Sequence, residues 1–305
     1  MPDQPQTKKK PFITVFTPTY NRAYSLGDVY ESLCKQTLQD FEWVIVDDGS
    51  ADNTAELVQG WVDDNRIPIR YAKKVNGGKH TAINLGVEMA QGEWFLIFDS
   101  DDQCTANTIE RFYQLSQSLT ADELAGISTI SVRSITDSGD NVGPTYSFRQ
   151  KIVRDPSEQL LLRSQAERWG INKTALMREV PFPVFPGEKF VPESLIWNQL
   201  SLHNATLFAD DSLRIFTPRA DGLTASMLKI RVNSAQGARL CYQEMLNLPL
   251  SLQERCKTLV NYYRFCFHAK KDSKPKALGQ LLPFVAGYLF YVKDIFLLRF
   301  VVNRK

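Results

Sequence analysis

The chain is poor in the features that mark several large protein classes. It has only five cysteines, Cys34, Cys104, Cys241, Cys256 and Cys266, an odd number at wide spacing with no CxxC pair. That argues against a disulfide framework and fits reduced thiols in a cytosolic setting. No GxGxxG follows the first strand-like run and no GxxxxGK[ST] occurs anywhere, so neither a dinucleotide fingerprint nor a P-loop is supported. An excess of one charge is also missing, because 36 Lys and Arg face 34 Asp and Glu across 305 residues. A global polyanion-binding surface, and with it a nucleic-acid partner, is not expected. Lys8-Lys9-Lys10 has no apolar stretch behind it, so residues 1–10 read as a frayed tail rather than a secretory signal. No internal repeat is visible. With 43% hydrophobic and 23% charged residues, the chain is neither disordered nor collagen-like.

What is present in the first half is a regular alternation. Residues 12–17, 41–46, 69–72 and 93–98 read as strands, and residues 23–36, 54–63, 81–89 and 105–119 as helices. Strands alternating with helices at this spacing imply βαβ units and a parallel sheet with right-handed crossovers. Ligands of such sheets bind beyond the carboxyl ends of the strands. The first strand ends in Thr17-Pro18-Thr19-Tyr20-Asn21-Arg22, the second in Asp47-Asp48-Gly49-Ser50, and the fourth in Asp99-Ser100-Asp101-Asp102. Each acidic cluster alone also suits a solvated turn or a helix N-cap. Two clusters at one sheet edge instead suit a hard divalent cation, Mg²⁺ or Mn²⁺, held partly by phosphate oxygens. Asn76-Gly77-Gly78-Lys79-His80 opens a helix whose backbone N–H groups, with Lys79, suit an anion.

These blocks, together with Gln36-Thr37, Asp52-Asn53-Thr54, Asn84-Leu85-Gly86 and Gly92-Glu93, resemble the family 2 glycosyltransferases over about the first 115 residues. The resemblance implies the GT-A fold: α/β, with a mostly parallel central sheet and flanking helices. It further implies an inverting, metal-dependent transfer of a sugar from a nucleotide-diphosphate sugar, UDP-linked in preference, to an acceptor hydroxyl. By the same resemblance Pro18, Tyr20, Asn21 and Arg22 lie at the nucleotide, and Asp48 accepts from the base. Asp99 reaches the ribose or sugar, Lys79 contacts the donor, and Asp101 ligates Mn²⁺ or Mg²⁺ with Asp102 as a second ligand. The family's Glu-Asp pair at the acceptor helix is matched here by Glu193-Ser194, so Glu193 is the expected base and Glu188 its alternative. Trp197 suits either a sugar face or core packing.

The second half is less regular. Residues 125–132, 145–148, 169–177 and 206–216 read as strands, and Arg219 to Thr224 as either a tight turn or a loop near the donor pyrophosphate. His80 and His203 each suit a structural role better than a ligand role. Residues 235–246, 251–268 and the terminal apolar stretch read as helices, which divides the chain into a 1–10 tail, an 11–230 GT-A domain and a 231–305 helical region. Residues 281–302 are apolar but carry Lys293, Asp294 and Arg299, and Lys270 to Lys276 just before them is basic. That composition fits a membrane-surface anchor or a helix packed on protein rather than a clean span. The expected setting is the cytoplasmic face of the cell membrane, with a glycan or lipid-linked acceptor, in bacterial-type surface polysaccharide or glycolipid synthesis. A nucleotidyltransferase on a related fold and a catalytically degenerate sugar-nucleotide-binding module are the rival readings.

Overall fold

The computed structural model describes residues 10–144, 146–216, 227–270 and 278–302. Most of the N-terminal tail, the Arg219–Thr224 loop and most of the basic 270–276 stretch lie outside these residues. Strand β1 (Ile13–Thr19) is buried at all seven positions, as is β2 (Phe41–Asp47). Such uninterrupted apolar runs are what a parallel strand covered on both faces requires. Helices α1 (Ala23–Cys34) and α2 (Thr54–Asp64) link β1 to β2 and β2 to β3 (Ile69–Lys73), and α3 (Lys79–Met89) leads to β4 (Trp94–Ile97). In α1 the buried Leu26, Val29, Tyr30 and Leu33 fall at helical spacing and form one face.

The sheet runs β3-β2-β1-β4-β8-β6-β9-β5, with β7 beside β9. Its first four strands pair in parallel. Beyond them β8 (Arg168–Lys173) is antiparallel to both β4 and β6 (Ile127–Thr136), while β6 and β9 (Ala205–Phe216) are parallel. One face packs on Leu26, Val29, Trp43 and Phe112. The other packs on Phe16, Val44, Ile83, Phe95, Leu195 and Ile196. Close approach is enforced where the resemblance has its small residues. A Cβ on Gly86 would lie 2.2 Å from the Phe16 ring, and one on Gly92 would lie 2.3 Å from the Thr14 backbone nitrogen. Asn84 exchanges two 2.8 Å hydrogen bonds with the backbone of Phe182, tying α3 to a segment 98 residues away.

Several sequence expectations shift. The helix expected from residue 105 begins later, as α4 (Thr108–Gln117), because Gln103–Cys104 forms the short strand β5 against Arg214 and Ile215. No strand covers 146–148; β7 is Gln150–Val153. The strand expected over 169–177 stops at Lys173 and turns into α7 (Thr174–Glu179), where the Thr174 hydroxyl donates to the Gly92 carbonyl at 2.7 Å. The short α5 (Ala121–Gly126) precedes β6, and α6 (Pro156–Gln165) starts at an Asp155 cap that accepts from the Ser157 and Glu158 amides, with proline in its first turn.

After α8 (Ser194–His203) and β9 the elements among the described residues are helical: α9 (Met227–Asn233), α10 (Ala235–Met245), α11 (Leu252–His268) and α12 (Leu281–Val302). Helices α11 and α12 are joined by a buried charge cluster. Asp294, 1% exposed, accepts from Arg264 at 2.6 and 2.5 Å and pairs with His268 at 2.9 Å. The opposite face of α12 carries Leu282, Leu289 and Phe296, which are 79%, 62% and 58% exposed. Their seven-residue spacing keeps them in one stripe. By length and composition alone, α12 is long and apolar enough to cross a membrane.

Removing one partner of a buried pair strands the other charge. Asp294→Ala is therefore expected to lower the unfolding free energy by about 3 kcal/mol in urea titrations. A loss below about 1 kcal/mol would mean the pair behaves as a solvated surface pair.

Candidate active site

The carboxyl ends of β1, β2 and β4, with the glycine loop before α3 and the start of α8, open onto one cleft of about 1390 Å³. Pro18, Tyr20, Arg22, Asp48, Lys79, Asp99, Asp101, Asp102 and Glu193 all line it. Asn21 does not. It sits at φ +52°, its amide donates to Ser50 Oγ at 2.8 Å, and its Oδ1 accepts from Ala51 N at 2.8 Å. Asparagine tolerates the left-handed conformation that this turn needs. Asn21 thus clamps the ends of β1 and β2 together.

Asp48 is buried and already has three donors. Its Oδ1 accepts from Lys74 Nζ at 2.7 Å and Gly77 N at 2.9 Å, and its Oδ2 from Gly78 N at 2.7 Å. It fixes the glycine loop that opens α3. Only glycine fits at 78, since its φ is +93° and a Cβ there would lie 1.9 Å from the Lys189 carbonyl oxygen. The loop thereby places Lys79 in the first turn of α3, facing the acids of β4.

Two cations organise those acids. Lys79 Nζ lies 2.6 Å from Asp99 and 2.7 Å from Glu193. Arg214 on β9 grips Asp102 with Nε at 2.7 Å and Nη2 at 3.1 Å, and its Nη1 reaches Glu167 at 3.0 Å. Each is one cation shared by two carboxylates, so each group keeps a net negative charge. Burial disfavours the charged forms, but Asp99 and Glu193 outweigh it and hold the Lys79 ammonium above its ordinary range. Burial likewise opposes ionisation of Asp99, and Lys79, Arg214 and Arg22 together still hold its carboxyl below the usual range. Burial, with Asp99 and Asp101 close by, pushes Asp102 up, and the forked guanidinium opposes that push.

Asp102 was expected as a second metal ligand. Each of its oxygens accepts one bond from Arg214 and it is 3% exposed, so of the two carboxylates Asp101 is the more open to the cleft. Asp101 remains partly exposed, with Arg22 Nη1 3.9 Å away. Among the described residues no three His, Cys, Asp or Glu side chains form a ready-made metal cage. One or two carboxylates opening on a cleft still fit a hard cation that takes its other ligands from phosphate and water. The loop is held firmly, with Ser25 Oγ on the Ser100 carbonyl at 2.8 Å and Trp169 Nε1 on the Ile97 carbonyl at 2.7 Å.

Glu193 immediately precedes α8 and makes no capping bond of its own, so its carboxylate faces the cleft at the helix N-terminus. Ser194, where the family has Asp, rests 3.3 Å from Cys241 Sγ. Glu188, the alternative base, is instead consumed by the Gln236 and Gly237 amides at 2.8 and 2.9 Å, at the start of α10. Trp197 is half-buried against the core and also borders the cleft. His203 is exposed at the end of α8. Sequence reasoning missed Arg214, Glu167, Lys74, Arg163 and Arg168. Only Arg214 carried a local signal, a lone cation inside the apolar run Leu213-Arg214-Ile215.

An α/β sheet with paired acids and a helix-borne glutamate around one cleft defines a sugar-nucleotide enzyme of the GT-A class. Residues 14–162 match the family described as Glycosyl transferase family 2. The chain is similar to glycosyltransferase GlyG of Streptococcus pneumoniae, at 30% identity over 224 residues that cover 69% of this chain and 72% of that protein. Among solved structures it is similar to S. aureus TarS 1–349 in complex with UDP-GlcNAc, with a TM-score of 0.62 and 20% identity over 92% of this chain and 81% of that one. It is also similar to the mannosyltransferase PcManGT of Pyrobaculum calidifontis in complex with GDP-Man and Mn²⁺, with a TM-score of 0.54 and 16% identity over 98% of this chain and 88% of that one. The chain belongs to glycosyltransferase family 2 and has the GT-A fold.

His80 gives the site a pH signature. It is 2% exposed and neither ring nitrogen has a hydrogen-bond partner. Burial pushes its imidazole below the ordinary value. The unfolded chain therefore binds the proton first, and stability present above about pH 6.5 falls as the pH drops below it. Subtracting the stability profile of His80→Leu from that of the wild type should leave a slope of at most about 1.4 kcal/mol per pH unit, confined below pH ~6.5. A flat difference would mean His80 titrates alike in both states.

Proposed function

We propose that this glycosyltransferase moves a sugar, with inversion, from a nucleotide-diphosphate donor to an acceptor hydroxyl, with Glu193 as the base. The observation that carries this reading is Lys79. Its ammonium sits between Asp99, on the donor side, and Glu193, at the head of the helix that borders the other half of the cleft. The pairing holds the Glu193 carboxylate in place at the cleft. Glu193 takes the proton of the acceptor hydroxyl as that oxygen bonds to the anomeric carbon and the bond to the diphosphate breaks in line. A Mn²⁺ or Mg²⁺ ion held by Asp101, with Asp99 beside it, supplies neutralisation of the leaving diphosphate when bound. Pro18 and Tyr20 border the base, and Asp48 Oδ2, which accepts one bond, keeps a lone pair for a ring N–H. This suits a base with a ring N–H, such as the uracil of the UDP-GlcNAc named for the TarS structure.

The reading extends to location. Residues 11–230 form the catalytic body and 231–305 a helical region that lays the exposed Leu282, Leu289 and Phe296 stripe on the cytoplasmic membrane face, beside the basic 270–276 stretch. That brings the cleft to a membrane-borne glycan or lipid-linked acceptor, as surface polysaccharide or glycolipid synthesis requires.

Glu193→Gln keeps the shape and removes the base. Transfer should fall by a factor of about 10² or more, with UDP-sugar affinity within a few fold of wild type. Retention of a tenth of the activity would remove Glu193 from this role. Replacing Leu282, Leu289 and Phe296 together by Gln should release the full-length protein from sedimenting phosphatidylglycerol vesicles; unchanged sedimentation would rule out the stripe as the contact.

A further inference from the structure

Glu193 is carried by a segment, residues 188–194, that runs between two walls. On one side the Lys189 carbonyl abuts Gly78, where a Cβ would lie 1.9 Å from its oxygen. On the other side lies α10, the second helix of the C-terminal helical region. Lys79 holds only the tip of the Glu193 side chain, and a lysine stem is flexible, so the backbone that bears the carboxylate must be fixed by other means. Helix α8 gives no help, because Glu193 stands at its N-cap position and makes no capping bond.

Contacts with α10 bracket Glu193 on both sides. Before it, Glu188 Oε1 accepts from Gln236 N at 2.8 Å and Oε2 from Gly237 N at 2.9 Å. The first N–H groups of a helix need acceptors from outside the helix. Ser234, at the N-cap of α10, supplies none from its side chain, so the Glu188 carboxylate takes that part, where the helix dipole also favours an anion. Gly237 then packs on the next two residues of the segment. A Cβ there would lie 2.8 Å from the Phe190 carbonyl oxygen and 3.0 Å from Val191 Cγ2. After Glu193, Ser194 Oγ rests 3.3 Å from Cys241 Sγ. Gly237, Leu240 and Cys241 recur at helical spacing on one face of α10, and Leu240 and Cys241 share a core with Val191 and Leu195.

Helix α10 is itself held from behind. Ala238 and Tyr242 pack on α11, where the Tyr242 and Phe265 rings stack with centroids 5.8 Å apart. Helix α11 meets α12 closely, since a Cβ on Gly287 would lie 2.8 Å from the Val260 carbonyl oxygen. Packed interiors yield little, so a backbone pressed against such a stack is fixed in place.

We propose that α10 positions the candidate base, with Glu188 and Gly237 as positioning residues that set where the Glu193 carboxylate stands. Neither lines the cleft, so each acts through Glu193. This rests on the reading of Glu193 as the base. It makes the C-terminal helical region a working part of the active site as well as the candidate membrane contact.

The test follows UDP release by the full-length protein in Mn²⁺, with water as the acceptor and whichever of UDP-GlcNAc, UDP-glucose and UDP-galactose reacts fastest. The water oxygen bonds to the anomeric carbon, its proton passes to Glu193, and the bond to UDP breaks. Small displacements of a reacting group are costly, so Glu188→Ala should lower kcat by at least about tenfold, with donor KM and UDP affinity within about threefold of wild type. Glu188→Gln keeps one acceptor oxygen and should fall between the two. Gly237→Ala is the second variant and should lower kcat in the same way. In a Glu193→Gln background, Glu188→Ala should change the residual rate by less than about twofold, because residues that act through one group are not additive. Hydrogen exchange gives a reading that needs no turnover: Glu188→Ala should speed exchange over residues 192–199 and leave residues 76–85 unchanged.

Full turnover in both Glu188→Ala and Gly237→Ala overturns the proposal, and so does unchanged exchange over residues 192–199. A loss of UDP affinity that matches the loss of kcat, or an equal loss in the Glu193→Gln background, would mean a general structural role and also overturns it. If Glu193→Gln alone keeps full turnover, the base reading falls first and the proposal with it.

Discussion

The sharing of one ammonium between two carboxylates is the constraint on which the site depends. Lys79 joins Asp99 at the end of β4 to Glu193 at the head of α8, elements that are far apart in sequence and contributed by opposite walls of the cleft. A second shared cation, Arg214, does the same for Asp102 and Glu167. Neither group is neutral. Packing acids this closely is unfavourable unless cations intervene, and the protein supplies fewer cations than these carboxylates need. The shortfall falls beside Asp101, where a divalent cation and a diphosphate would complete the balance. The acids are therefore positioned before the ligand arrives, which is the condition for electrostatic stabilisation of a leaving group without reorganisation.

That positioning relies on tight backbone contacts. Gly78 lets the Lys79 loop press against the Lys189 carbonyl, and Gly92 lets the strand leading to Asp99 start against β1. Asp48 anchors the same loop from β2, and Asn21 locks the β1 turn to Ser50. The three strand ends thus behave as one frame. The mobile chemistry, a proton and a sugar, then needs only small displacements within it.

How much was legible in the sequence follows from the range of each interaction. The parallel half was readable because each strand is a buried apolar run closed by an acidic or polar turn, and those are local signals. The small residues at 86 and 92 were legible as motif positions, although their reason, the Phe16 ring and the Thr14 backbone, is a contact across the sheet. The fate of Asp102 was not readable. Its partner lies 112 residues away on β9, so Asp102 read as a second ligand beside Asp101. Glu193 was preferred over Glu188 only on the match to the family's Glu; that Glu188 is held by the α10 amides was not legible. The antiparallel strands of the second half depend on pairing between distant segments, which periodicity alone does not register. Helix α6 is different: Asp155-Pro156 was an available start signal.

The acidic strand ends of the cleft are where a nucleotide diphosphate and its cation would sit. The most direct measurement is the affinity of UDP for the full-length protein by calorimetry, in Mn²⁺ and again in EDTA. Carboxylates left short of positive charge should repel a bare diphosphate, so UDP should bind at least tenfold more tightly with Mn²⁺. Equal affinity in EDTA would contradict the charge balance proposed for Lys79, Arg214 and their four acids.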